Sequence, residues 1–157
     1  MAPPRLLADE MVGRLARYLR MVGCDTEYAR GWSDDTIVER ARAERRIVVT
    51  RDRELARRLP GSVLLRTTEI ARQVREAWAA LPSLPRDVRF DRCTVCNGPL
   101  RAGLAADPST PQSGIPWDRI RAGLVVYRCA SCGHLYWEGT HTASVRRRLR
   151  EWTGGAV

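Results

Sequence analysis

The sequence predicts an α/β fold, a parallel sheet flanked by helices, followed by a small cysteine-bearing module that ends in a helix. Three observations predict it. Between residues 5 and 80, short apolar stretches alternate with segments whose apolar residues recur at helical spacing. Pro82-Ser83-Leu84-Pro85 then interrupts that rhythm as a linker would. Beyond Phe90 the chain carries two Cys-x-x-Cys pairs. The expected division is a first domain over residues 1–84 and a second module over 90–153.

Each element has its own warrant. Arg5–Ala8 reads as a short strand. Glu10–Val22 places Val12, Leu15, Ala16, Leu19 and Val22 on one helical face, and Gly23 supplies a stop. Asp25–Ala29 reads as a second strand. Asp35–Glu44 reads as a helix with Ile37, Val38 and Ala41 inward. The Ile47-Val48-Val49 run within Arg46–Thr50 is the clearest strand, because β-branched side chains fit a pleated surface. Arg53–Leu59 is a short helix closed by Pro60-Gly61, and Ser62–Leu65 is a fourth strand. Glu69–Leu81 is a helix burying Ile70, Val74, Ala77, Trp78 and Leu81. In the second module, the Pro/Ser/Gly/Ala-rich stretch 105–116 reads as a loop. Leu124–Arg128 and Leu135–Trp137 read as strands, and Ala143–Trp152 as the final helix. Strand–helix alternation of this kind gives right-handed crossovers with helices on both faces of the sheet.

The 157 residues carry a net charge of +9, and all 27 basic residues are arginine. Both modules are basic, at +5 up to Phe90 and +4 after it. Arginine presents a planar fork suited to phosphate, so the balance favours a polyanionic partner, with nucleic acid ahead of a membrane surface. No segment approaches the roughly 18 apolar residues of a membrane span, and the first residues lack the apolar core of a signal peptide. Four of the five cysteines stand in close pairs, which suits a metal site in a reducing compartment, so the expected location is cytoplasmic. Cys24, the fifth, is expected to be a small core residue beside a strand.

The pairs Cys93/Cys96 and Cys129/Cys132 have the spacing at which two thiolates reach one ion from a tight turn. Two such knuckles complete a tetrahedral shell, and a shell of four thiolates is closed, so the expected zinc is structural. Asn97-Gly98 and Gly133 follow the knuckles, where the turn calls for positive φ. His134 and His141 are left to surface or hydrogen-bonding roles. Arg146, Arg147, Arg148 and Arg150 form a cluster that reads either as a nucleic-acid surface or as a solvated helix face. Tyr136 and Trp137 read first as packing residues of the ribbon, with base stacking as the alternative.

Three joints in the first domain run from an apolar stretch into an aspartate and then a helix, at Asp9, at Asp34-Asp35 and at Asp52. Each aspartate has an ordinary role as a helix N-cap. Together they mean more, because ligands of an open parallel sheet bind beyond the carboxyl ends of its strands, where all three joints lie. Carboxylates gathered there suit Mg²⁺ or Mn²⁺ held against a phosphate. Arg14 and Arg17 on the first helix, and Arg51 beside Asp52, are placed to grip a substrate backbone. There is no Gly-rich phosphate loop, and both histidines fall in the cysteine module, away from any Ser/His/Asp arrangement.

The stretch from Asp9 to Gly23, DEMVGRLARYLRMVG, resembles the opening motif of a PIN-like ribonuclease family, the one named after the C-terminal domain of the nematode mutator protein Mut-seven. So does Arg46–Arg53, RIVVTRDR. The Cys-x-x-Cys pairs and Tyr136-Trp137-Glu138-Gly139-Thr140-His141 resemble that family's C-terminal zinc ribbon. The resemblance covers residues 5 to 150 and implies a PIN-like sheet with a zinc ribbon. It also implies metal-dependent endoribonuclease activity, with RNA as partner. Carried over, it gives Asp9 and Asp52 as Mg²⁺ or Mn²⁺ ligands, with Asp34 as the middle acid and Asp35 as its fallback. No fourth acid of the kind many PIN domains carry stands out. Two other functions stay open on the sequence: an RNA- or ribosome-binding adaptor without catalysis, and a toxin nuclease paired with an antitoxin.

Overall fold

A computed structural model describes residues 2–103 and 111–154. Strand β1 (Leu6–Asp9) is followed by one 3-10 turn (Glu10–Val12) and helix α1 (Gly13–Met21). Then come β2 (Thr26–Ala29), α2 (Asp34–Glu44), β3 (Ile47–Thr50), α3 (Arg53–Arg58), β4 (Val63–Leu64) and α4 (Ile70–Ala80). The second module contains β5 (Leu100–Ala102), α5 (Trp117–Arg121), β6 (Val126–Cys129) and β7 (Leu135–Trp137), and the last helix is α6 (Thr140–Thr153). The first four strands form a parallel sheet in the order β2-β1-β3-β4, and β5-β6-β7 form an antiparallel one.

Side-chain alternation assigns the two faces of the parallel sheet. Leu6, Ala8 and Val49 join one core cluster with residues of α1 and α4, while Leu7 and Val48 join another with Ile37, Val38, Ala41, Leu55 and Leu59 of the α2–α3 side. The apolar face expected of the first helix is buried at Val12, Leu15, Ala16, Leu19 and Val22. Cys24 is fully buried, and burial pushes its thiol up to about 12. The chain leaves α1 through Gly23, whose φ of +89° is the left-handed conformation a side chain resists.

Three local expectations differ from the structure. The helix expected from Glu10 begins instead at Gly13, because the Tyr28 hydroxyl donates to the Glu10 carbonyl at 2.8 Å and holds the first turn open. Gly13 permits that approach, since a Cβ there would lie 2.8 Å from the Tyr28 oxygen. The cap of α2 is Ser33, whose hydroxyl accepts from the Thr36 N–H at 3.2 Å; Asp34 and Asp35 occupy its first turn. The proline-flanked segment 82–85 packs against the core: Leu84 is 3% exposed, and the Trp78 indole donates to the Pro85 carbonyl at 3.0 Å. Within the stretch expected as a loop, residues 104–110 lie outside the described residues, 111–116 form neither helix nor strand, and α5 follows directly.

The last helix returns to the first domain. Val145 and Leu149 of α6 join the cluster of α1 and α4, and Trp152 lies 5.3 Å from the Tyr18 ring. Arg75 and Arg86 donate to the Trp152 and Thr153 carbonyls, which the end of a helix leaves without partners. Among the described residues no helix is long and apolar enough to cross a membrane.

Candidate functional site

The carboxyl ends of the four parallel strands lie on one side of the sheet. There Asp9 pairs in register with Ala29 of β2, and Thr50 of β3 pairs with Leu64 of β4. β1 and β3 are registered through Ala8 and Val49, so Asp9 and Thr50 occupy the next rung. The fully buried Thr50 hydroxyl donates to Asp9 Oδ2 at 2.7 Å and accepts from the Asp52 N–H at 2.9 Å. Asp9 Oδ1 accepts from the Glu10 N–H at 2.6 Å. Asp52 Oδ1 caps α3, accepting from Glu54 and Leu55 at 2.8 and 3.2 Å. The capping role and the strand-end position therefore coincide at both residues, and each carboxylate keeps free lone pairs, on both oxygens of Asp9 and on Oδ2 of Asp52.

The middle joint is arranged differently. Asp35 is held by Arg58 at 2.6 Å, whereas Asp34 is exposed and makes no hydrogen bond or ion pair among the described residues. The three carboxylates do not close into a cage: among the described residues, the one group of at least three His, Cys, Asp or Glu ligands lying within 4.8 Å of each other is the four cysteines. Two hard carboxylates on adjacent strand ends still fit a small divalent ion that keeps waters and shares a substrate phosphate.

Arginines flank these acids on both sides. Toward β2, a groove is lined by Arg14 and Arg17 of α1, Tyr28 and Arg30 of the β2 end, and Thr94 and Val95 of the first knuckle. Toward β4, a second cleft is lined by Arg51, Arg53 and Arg66. The Nε of Arg51 is buried without a hydrogen-bond partner.

The four cysteine sulfurs converge, with Cys93 and Cys132 at 3.6 Å and Cys96 and Cys129 at 3.4 Å. A tetrahedral zinc with bonds of about 2.3 Å would set its sulfurs about 3.8 Å apart, so the cluster fits that ion. The Gly98 N–H points at Cys96 Sγ, and the Ser131 and Cys132 N–H groups point at Cys129 Sγ, each at 3.4 Å. Burial raises the Cys129 thiol, but these two amides and the neighbouring thiols outweigh it and bring it to about 7. Tyr136 serves the same centre: its hydroxyl lies 3.0 Å from Cys93 Sγ and accepts from the Thr94 N–H at 3.0 Å. Positive φ occurs at Asn97 and Gly133 but not at Gly98. Gly98 is needed for space instead, because a Cβ there would meet Cys129 Sγ at 2.8 Å.

The first knuckle is fastened to the first domain. Arg20 of α1, only 7% exposed, donates to the Thr26 carbonyl at 2.9 Å and to the Thr94 and Val95 carbonyls at 3.0 and 3.3 Å. Asn97 accepts from the Thr26 N–H at 2.9 Å and donates to Asp25 at 2.8 Å. The Arg146 end of the basic cluster on α6 is likewise structural, bound to Glu138 and Asp87, while Arg147, Arg148 and Arg150 are exposed.

Sequence reasoning missed Thr50, Tyr28, Arg20, Arg30, Arg53 and Arg66, and it gave Asn97 its positive φ but not its contacts with Thr26 and Asp25. Thr50 was visible only as a β-branched strand residue, and the others depend on which loops the topology brings together. No curated protein and no solved structure matches the chain. The family model described as Mut7-C RNAse domain matches residues 4–149. That span takes in the acidic strand ends and both cysteine knuckles, and the chain belongs to the Mut7-C RNAse domain family.

Proposed function

We propose that the protein is a metal-dependent endoribonuclease that hydrolyses RNA phosphodiester bonds at the carboxyl ends of its parallel strands. The observation that carries this reading is the pair Asp9 and Asp52 on adjacent strand ends, where the Thr50 hydroxyl donates to the Asp9 carboxylate and accepts from the Asp52 backbone N–H. Asp9 and Asp52, with Asp34 from the start of α2, would hold Mg²⁺ or Mn²⁺. When bound, such an ion would polarise the scissile phosphate and lower the pKa of a water. The chain's own contribution is positional. Thr50 fixes the orientation of Asp9, and the Glu54 and Leu55 amides fix that of Asp52. Arg14, Arg17 and Arg51 bind the phosphates on either side. The zinc at the four cysteines is structural, and its closed shell leaves no position for substrate.

The test is cleavage of single-stranded and structured RNAs by purified protein in metal-free buffer, with and without Mn²⁺. Cleavage is expected only with Mn²⁺ or Mg²⁺, at internal positions, and without 2′,3′-cyclic phosphate ends, because water rather than the ribose hydroxyl attacks. Cyclic ends, or cleavage unaffected by the added ion, contradict the mechanism. Retention of RNA with no cleavage under any metal identifies a binding adaptor instead.

A further inference from the structure

Sheet order turns the scattered arginines into a pattern. Crossing the strand ends from β2 to β4, the chain presents Arg30, then Asp9, then Asp52 with Arg51, then Arg66. With strands about 4.8 Å apart, this crossing spans about 14 Å. We infer that the strand-end face is a two-armed cradle for one strand of RNA, which crosses the acids with a phosphate-binding arm on each side. This rests on the ribonuclease reading for the identity of the polyanion.

Counter-charge supports it. Arg5, Arg40, Arg46, Arg58 and Arg146 all lie within 4.0 Å of carboxylates. None of Arg14, Arg17, Arg30, Arg51, Arg53 and Arg66 has such a partner among the described residues; other arginines, Arg45 and Arg147 among them, also lack one, but these six gather around the two clefts. No acidic side chain lines either cleft. Guanidinium groups gathered without carboxylates repel one another, and a phosphate chain relieves that repulsion. The buried, unpartnered Nε of Arg51 marks the inner end of the second arm.

The far wall of the first arm belongs to the cysteine module. Val95 is 54% exposed at the tip of the first knuckle and borders the same groove as Arg14 and Arg17. An exposed aliphatic side chain beside phosphate-binding groups can contact an unstacked base, which a single strand offers and a duplex hides. Arg20 holds this wall in place through the Thr94 and Val95 carbonyls. The ribbon is thus part of the RNA surface at its first knuckle, on the side facing α1.

The experiment measures binding of fluorescent 2′-O-methyl oligonucleotides by anisotropy across a salt series, in buffer without Mg²⁺ or Mn²⁺ so that the proposed hydrolysis cannot run. Single strands of about 4 and about 16 nucleotides bracket the usual single-strand site sizes. Removing one arginine that neutralises a phosphate of a single strand lowers the log–log salt slope by about 0.7. The triple variant Arg14→Gln/Arg17→Gln/Arg30→Gln is therefore expected to lose about 2 from the slope with the long strand, and Arg53→Gln/Arg66→Gln about 1.4. On the short strand, which can occupy either arm, each loss is expected to be smaller. Val95→Asp is expected to weaken binding while zinc content stays at the wild-type level. The charge-matched control Arg57→Gln/Arg72→Gln/Arg121→Gln removes arginines already paired with acids and is expected to keep the wild-type slope. The cradle is overturned if either arm variant binds the long strand with the wild-type slope, or if the control falls as far as the arms do. Cleavage plays no part in this readout, so failure of the ribonuclease reading and failure of the cradle are separate results.

Discussion

Thr50 and Asp9 are joined by a 2.7 Å hydrogen bond from a fully buried hydroxyl to a carboxylate, and the same hydroxyl accepts from the Asp52 amide at 2.9 Å. One threonine thus supports both strand-end acids. Thr50→Val keeps the shape but leaves two polar groups without their partner, at an expected cost of about 1–3 kcal/mol in stability. Cleavage is expected to fall about 10–100-fold, the usual penalty for losing a group behind a metal ligand. Half-maximal activity should also require more Mn²⁺. Thr50→Ser should restore both. Leu15→Ala, with an expected cost of about 2–5 kcal/mol in the core, should leave the Mn²⁺ requirement unchanged.

The two candidates for the proposed middle acid differ in their neighbours. Asp35 is bound to Arg58 and Asp34 is free of partners among the described residues. Asp34→Asn is expected to lower cleavage at least 10-fold with no change in melting temperature. Asp35→Asn should keep cleavage near wild type and cost about 0–1 kcal/mol, the usual worth of an exposed ion pair. Steady-state cleavage rates and thermal melts of the two variants decide the matter, and equal loss of activity in both would contradict the assignment.

The cysteine centre is expected to hold one zinc per chain, measured by elemental analysis of protein purified without added metal. Cys129→Ser should release it. Because Asn97 holds the Thr26 amide of the edge strand β2, loss of zinc should also be felt in the first domain. Hydrogen exchange at Thr26 is expected to quicken in the zinc-free protein, while the fully buried Val49 in the centre of the sheet stays protected. Unchanged exchange at Thr26 would mean that the knuckle keeps its place without the ion.

Asp25 gives the pH dependence of stability. Burial raises its carboxyl, but hydrogen bonds from Arg46 and Asn97, both 2.8 Å from Oδ1, outweigh burial and hold it at about 2. Its contribution is complete above the ordinary value of 3.8 and is lost as pH falls through about 2. That contribution is on the order of 2 kcal/mol for a side chain only 17% exposed. Denaturant melts between pH 5 and pH 2 should show this loss in the wild type, and Asp25→Asn should flatten that part of the profile.

Most helices and strands were legible because their signals are local, whereas β5 and α5, of three and five residues, are too short to carry a periodic pattern and were not. The apolar positions of α1, the β-branched run of β3 and the two Cys-x-x-Cys pairs each stand within a few residues of one another. Element ends were less legible, because they depend on distant partners. The start of α1 is set by Tyr28 from the next strand, and the proline-flanked segment is held by Leu84 and by the Trp78 indole. The acids were legible as strand-end residues, but their shared support was not. Thr50 meets Asp9 only through the pairing of β1 with β3, across 41 positions of sequence. The fastening of the knuckle by Arg20 spans 74 positions, and nothing near Arg20 distinguishes it from Arg14 or Arg17 on the same helix.

The most direct measurement is cleavage of one labelled single-stranded RNA in Mn²⁺ by the wild type, Asp9→Asn and Asp52→Asn, with thermal melts of each. Asparagine caps a helix about as well as aspartate, so Asp52→Asn should fold and melt close to the wild type. Both variants are expected to lose more than the about 100-fold that a supporting residue costs. Wild-type cleavage in either folded variant would contradict a catalytic role for the strand-end carboxylates.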